Sequence, residues 1–103
     1  MSESAQKLGG WSSPPKEANE KVQAICFQVR KAVEDKINGG HPLGQFTAKE
    51  YIEQVIEGMN YRIKVQINTV SKIRIEVCES PIVPVPPYLT AVAADGPLND
   101  QPF

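Results

Sequence analysis

The stretch Gln54–Gly58 (QVIEG) decides the fold of this chain, together with the stretch Met59–Val65 (MNYRIKV) that follows it. Two apolar residues stand just before the glycine, and beyond it apolar and polar residues alternate, as in a strand with one buried face. This pattern predicts a β-hairpin with apolar side chains at its tip. Exposed apolar side chains of this kind are typical of a surface that binds a partner.

Further strands are expected after this hairpin. Residues 61–67 and 72–77 both alternate, so we expect each strand to bury its apolar side chains and to leave its charged ones on a polar face. The polar stretch 68–71 predicts a turn between them. Four prolines in residues 81–87 exclude a central strand there and predict a stiff, extended loop, while residues 88–94 are expected to form the last strand.

An amphipathic helix is expected before the hairpin. Apolar residues recur at spacings of three and four, typical of one helix face: Ala18, Val22, Ile25, Cys26, Val29 and Val33. Serines before prolines in residues 12–15 predict the helix start, and Asn38-Gly39-Gly40 predict its end. The helix and the strands each need their apolar face covered. The residues therefore predict an α+β fold, with one long N-terminal helix packed across a four- or five-stranded antiparallel sheet.

Length and charge restrict the classes of function. The chain of 103 residues has the size of one domain, so we expect residues 1–103 to fold together. Its 11 basic and 12 acidic residues are mixed along the chain, which predicts neither nucleic acid nor a membrane as a partner. Residues 1–7 carry no apolar run like that of a secretory signal. We therefore expect a cytoplasmic protein.

Groups for catalysis or metal binding are sparse. His41 is the single histidine and lies far along the chain from both cysteines, so the sequence predicts no catalytic residues, no metal site and no cofactor. Cys26 is expected to be buried on the helix face. Cys78 shares the polar side of its strand and is expected to be exposed. An enzyme that uses Cys78 and His41 is the disfavoured alternative, which hydrolytic activity would reveal.

The hairpin sequence resembles the Gln-x-Val-x-Gly motif of the cystatin superfamily. With Asn60-Tyr61 and Ile63-Lys64-Val65 at the matching offsets, it is similar in particular to the stefins, the type 1 cystatins. The tail, residues 99–103, is similar to stefin tails that end in phenylalanine. The resemblance implies a single stefin-like cystatin domain. It also implies a reversible, tight-binding inhibitor of papain-like cysteine proteases of the cathepsin type, which blocks the active-site cleft without performing chemistry.

Residues 47–57 carry two competing patterns. Thr47 and Glu50 match a capping box, and the apolar residues after them repeat at helical spacing, which favours a short helix. The resemblance implies a strand that leads into the hairpin, and we expect the strand.

The resemblance also implies which residues bind the protease. The hairpin loop would contribute five of them: Gln54, Val55, Ile56, Glu57 and Gly58.

Two more segments would complete the implied binding surface. Residues 1–10 would be a mobile segment in which Leu8 fills a substrate pocket and Gly9 allows a close backbone approach. In the second loop Pro81 matches the family pattern, whereas a leucine expected before it is absent. Trp11 stands where stefins more often have a smaller residue, and it either packs on the helix or adds contact area.

Another class of function stays open beside inhibition. A non-inhibitory interaction protein of the same fold would use the hairpin for a different partner or for self-association. A monomer is expected; the resemblance suggests, as the alternative, a domain-swapped dimer in which two chains open the hairpin and exchange the helix and the first strand.

Overall fold

The computed structural model describes residues 10–100 and residue 103. A sheet of five antiparallel strands has the order β1-β2-β3-β4-β5, and one helix packs on it. In chain order the elements are β1 (Lys16–Glu17), α1 (Glu20–Ile37), β2 (Thr47–Ile56), β3 (Gly58–Gln66), β4 (Lys72–Glu79) and β5 (Tyr88–Ala94). The predicted α+β fold is confirmed. Among the described residues, no helix combines the length and the apolar character needed to cross a lipid bilayer.

The predicted helix start was wrong. Helix α1 begins at Glu20, after Asn19, whose side-chain oxygen accepts a hydrogen bond of 2.9 Å from the Val22 N–H. The chain before it runs along the edge of β2 instead, where the Ala18 N–H donates to the Lys49 carbonyl at 3.0 Å. Prolines suit an edge segment as well as a first helical turn, because neither position needs their N–H.

The predicted helix end was right. The N–H groups of Asn38 and Gly40 both donate to the Glu34 carbonyl, at 2.9 Å and 3.0 Å. Gly39 and Gly40 have φ values of 61° and 83°, in the left-handed region that glycine adopts without steric strain. The chain can therefore leave the helix and return to the start of β2.

The main core lies between α1 and the face of the sheet that α1 covers, here called the inner face. Strand residues buried there alternate as predicted: Tyr61, Ile63 and Val65 in β3, and Ile73, Ile75 and Val77 in β4. Cys26 is fully buried on the helix side, and burial raises the pKa of its thiol to about 12. Because the thiolate is the reactive form, this cysteine acts as a packing residue.

Residues 47–56 form the strand that the resemblance implied. Their apolar spacing looked helical because β2 buries side chains on both faces of the sheet. Tyr51 faces the core and is 6% exposed, whereas Ile52 pairs with Arg62 on the opposite, outer face and is only 1% exposed. Pairing with β3 along the whole strand then decides the conformation.

The prediction of a polar outer face was wrong for two arginines. Arg62 and Arg74 are only 5% and 8% exposed. The chain after β5 covers them, since Arg62 donates to the carbonyl of Leu98 at 3.1 Å and Arg74 donates to the carbonyl of Pro97 at 2.8 Å. Leu98 is itself 3% exposed. The outer face thus has a small buried layer of its own.

Candidate functional site

The hairpin between β2 and β3 is tight. Ile56 pairs with Gly58 across the two strands, so Glu57 alone occupies the turn, where it is exposed. One pair further from the tip, Val55 faces Met59; Val55 and Ile56 are both half-buried. The next pair is fixed by a side-chain hydrogen bond of 2.9 Å from Asn60 to Gln54. The apolar tip is therefore a preformed part of the sheet.

Gly58 brings the hairpin into contact with the loop after β4. Its φ of 102° lies in a region that residues with a side chain rarely adopt. A Cβ atom at this position would also overlap the carbonyl oxygen of Glu79 and lie 3.0 Å from Cδ of Pro81. Only glycine satisfies both conditions. The structure thus places Gly58 and Pro81, two of the residues singled out from the sequence, against each other.

The loop after β4 exposes apolar side chains beside this contact. Ile82, Val83 and Val85 are 66%, 88% and 46% exposed. The loop is held in shape by hydrogen bonds of 3.0 Å from the Ile82 N–H to the Ser80 hydroxyl and from the Val85 N–H to the Ile82 carbonyl. Sequence reasoning assigned Pro81 alone in this loop. The available signal was the alternation of apolar residues with prolines in a segment outside any predicted strand.

The N-terminal segment reaches the same edge of the molecule. Trp11 forms an antiparallel bridge with Gln54, and the Ser12 N–H donates to the Glu53 carbonyl at 2.8 Å. The Glu53 N–H in turn donates to the Ser12 hydroxyl at 3.0 Å. Because this segment runs antiparallel to β2, Gly10 stands toward the hairpin tip. Leu8 and Gly9 lie outside the described residues.

The position of Trp11 excludes one of its two alternatives. Its ring lies 4.5 Å from the guanidinium carbon of Arg62, on the outer face of the sheet. Packing on the helix is therefore wrong, because α1 covers the opposite face.

A polar cluster supports the hairpin from the inner face. The Tyr61 hydroxyl donates to a Glu79 carboxylate oxygen at 3.3 Å, and the Lys21 amine lies 3.7 Å from the same oxygen. The hydrogen bond with Tyr61 raises the pKa of Lys21, while burial raises the pKa of Tyr61. The cluster joins the first turn of α1 to the end of β4, next to Gly58.

His41 and Cys78 lie in different parts of the fold. His41 follows the end of α1, near the start of β2, whereas Cys78 lies near the other end of the sheet, paired with Asn60 and Tyr88. In residues 10–100 and 103, no group of three or more His, Cys, Asp or Glu side chains is placed to hold a metal ion. The structure brings the hairpin, the loop after β4 and Trp11 to one edge of the sheet and keeps His41 and Cys78 apart.

Comparisons with known proteins agree with this arrangement. A family model described as the cystatin domain matches residues 9–83. Stefin-C from Bos taurus is 37% identical over 95 residues, which cover 91% of each chain. Cystatin-A1 from Sus scrofa is 31% identical over 100 residues, covering 96% of this chain and 95% of the relative. Leukocyte cysteine proteinase inhibitor 1 from Sus scrofa is 33% identical over 78 residues, covering 76% of this chain and 74% of the relative.

Proposed function

This chain belongs to the stefin family of the cystatin superfamily, and on that basis we propose that it is a reversible, tight-binding inhibitor of papain-like cysteine proteases. The name of one relative, a cysteine proteinase inhibitor, supports the class of partner. Proteases of the cathepsin type, a cytoplasmic location and a single domain over residues 1–103 remain predictions that accompany the proposal.

One observation carries the proposal most strongly. Gly58 in the hairpin meets Glu79 and Pro81 so closely that a single Cβ atom would separate the two loops. The bridge between Trp11 and Gln54 adds the N-terminal segment to the same edge. Three separate parts of the chain would thereby contribute to one wedge, as an inhibitor that fills a cleft requires.

The wedge would act by occlusion. Val55 and Ile56 in the hairpin, with Ile82 and Val83 in the second loop, would remove apolar surface from water in the cleft of the protease. A standard interface buries about 1,600 Å², and nanomolar affinity corresponds to about −12 kcal/mol. A hairpin that is already in place loses little conformational entropy on binding. The protease's catalytic cysteine would be covered with no peptide bond placed for attack.

Active-site titration tests the proposal. Increasing amounts of the full chain are added to a papain solution of known active-site concentration, and the residual hydrolysis of a small substrate is measured. We expect activity to fall linearly to an end point at one inhibitor per active site. Trypsin, which uses serine, serves as the control and should keep its activity. Papain that stays active at a molar excess would overturn the proposal, as would cleavage of the chain as an ordinary substrate.

Removal of residues 1–9 is expected to accelerate dissociation from papain about 10-fold. Leu8 and Gly9 would make contacts with papain that are lost when the segment is removed. The preformed hairpin would still dock, so the association rate should change little. Both rates are measured by displacement of the inhibitor with excess substrate. A form that lacks only residues 1–6 is the control, because it keeps Leu8 and Gly9. Equal dissociation rates for all three forms would contradict this role.

Glu57 is expected to influence the choice of target. Its exposed carboxylate stands at the tip of the wedge, and a carboxylate that enters an apolar cleft loses hydration unless it finds a partner. Replacing Glu57 with alanine should tighten binding about 3- to 10-fold to a papain-like protease with an acidic rim, as measured by inhibition constants at two salt concentrations. Glu17→Ala removes the same charge from β1 and should have no effect. A looser Glu57→Ala complex contradicts this account.

A further inference from the structure

A stack of three side chains covers the outer face of the sheet. The guanidinium carbon of Arg62 lies 4.5 Å from the ring centre of Trp11 and 4.6 Å from that of Phe103. We call Trp11, Arg62 and Phe103 the outer stack. A planar, permanently charged guanidinium is well suited to lie between aromatic rings. Arg74 adds a second cation, 4.9 Å from the Phe103 ring centre.

Hydrogen bonds fix the arginine of this stack. Arg62 donates to a Glu76 carboxylate oxygen at 2.9 Å and to the Asp100 carbonyl at 2.7 Å, in addition to the Leu98 carbonyl. Because guanidinium donors lie in the plane of the group, these hydrogen bonds leave its faces open to aromatic contact. Arg74 holds the same segment through the carbonyl of Ala94 at 2.6 Å. The outer stack is therefore built on a rigid base.

Trp11 connects the outer stack to the hairpin. Trp11 is the neighbour of Gly10, and its backbone is bridged to Gln54 at the base of the hairpin. Its ring is half-buried against Arg62. The contact of this ring with Arg62 and the backbone bridge to Gln54 thus fix Trp11, one residue after Gly10.

We propose that Arg62, which contacts both Trp11 and Phe103, is a positioning residue that directs the N-terminal segment toward the protease, so that Phe103 strengthens inhibition without touching the protease. This inference rests on the proposed function. Without Phe103 the guanidinium of Arg62 loses one of its two aromatic contacts, and Trp11 becomes less constrained. A less constrained segment must lose more conformational entropy on binding, and the complex then dissociates sooner.

The kinetic test is a double-mutant cycle in the full chain with Phe103→Ala and Leu8→Ala. We expect Phe103→Ala to accelerate dissociation from papain about fivefold, in line with the loss of the cation–π contacts that the ring makes with Arg62 and Arg74. With Leu8 already replaced, the same change should have little further effect, because the segment then has no leucine to fill the substrate pocket of the protease. Phe27→Ala, which removes an aromatic ring that is 56% exposed on α1, is the matched control. Equal effects of Phe103→Ala in both backgrounds would overturn the inference, since general loss of stability acts in both.

A spectroscopic test separates this inference from the proposed function. Trp11 is the only tryptophan, so its fluorescence reports the outer stack without any protease. We expect the acrylamide quenching constant to rise about twofold in Phe103→Ala and in Arg62→Lys, which keeps the charge but loses the planar group. It should not change in Phe27→Ala. Unchanged quenching in both stack variants would overturn the stack itself, whereas a wild-type chain that fails to inhibit papain would overturn the proposed function and the positioning role with it.

Discussion

Replacing Gly58 with alanine is expected to weaken inhibition of papain about 100-fold. The φ of 102° at this position is strained for any residue with a side chain, at about 1–3 kcal/mol. The new Cβ atom would also overlap the Glu79 carbonyl oxygen, a backbone atom that cannot rotate away. The hairpin and the second loop must therefore separate. Since about 1.4 kcal/mol corresponds to a factor of ten, strain at the upper end of that range accounts for the expected loss.

Two measurements distinguish this result from simple unfolding. The inhibition constant is determined with papain, and the free energy of unfolding is determined in urea. Gly44→Ala is the matched control, because a Cβ atom at Gly44 would meet no other atom within 4 Å and the backbone there is not strained. We expect Gly44→Ala to leave both quantities unchanged. A Gly58→Ala chain that inhibits as strongly as the wild type would refute the proposed contact between the two loops as a requirement for binding.

Replacing Ile56 with aspartate is expected to weaken inhibition by a similar factor, about 100-fold, with little change in stability. Ile56 is half-buried at the last pair before the turn, so its side chain contributes more to the wedge surface than to the core. A carboxylate there would have to lose its hydration in an apolar cleft. It would also stand next to Glu57, which adds a like charge.

The matched control for this charge is Val70→Asp. Val70 is 89% exposed in the turn between β3 and β4, at the opposite end of the sheet from the hairpin tip. The inhibition constant with papain and the unfolding midpoint in urea are measured for both variants. We expect Val70→Asp to inhibit like the wild type. Equal inhibition by both variants would remove the hairpin tip from the proposed interface.

Local patterns in the sequence were sufficient for most of the fold. The alternation in β3 and β4 and the periodicity in α1 each reflect one apolar face that packs into the main core, which is why they predicted the elements correctly. The helix start was missed because Pro14 and Pro15 are compatible with two environments. The pairing of Lys16 with Tyr51 on β2, which decides between them, is a contact across 35 positions of the chain and leaves no local pattern.

Local patterns also failed to predict the burial of two arginines on the outer face, which lies beneath Trp11. Arg62 and Arg74 alternate with buried residues, as solvent-exposed side chains do, and their burial depends on a segment far along the chain that folds back over them. Family resemblance identified the hairpin and Pro81. It left the role of Trp11 open between two alternatives and gave no role to the exposed Ile82 and Val83, because these positions depart from the family pattern.

The contact of Gly58 with Glu79 and Pro81 has a consequence for engineering new inhibitors. Because Gly58 packs directly against Glu79 and Pro81, the hairpin and the second loop are held against each other, and a change at this contact would shift both loops. Residues 82–85 follow this contact directly and are exposed. A library that randomises 82–85 and retains Gly58 and Pro81 would vary the chemistry of the wedge while its shape stays constant.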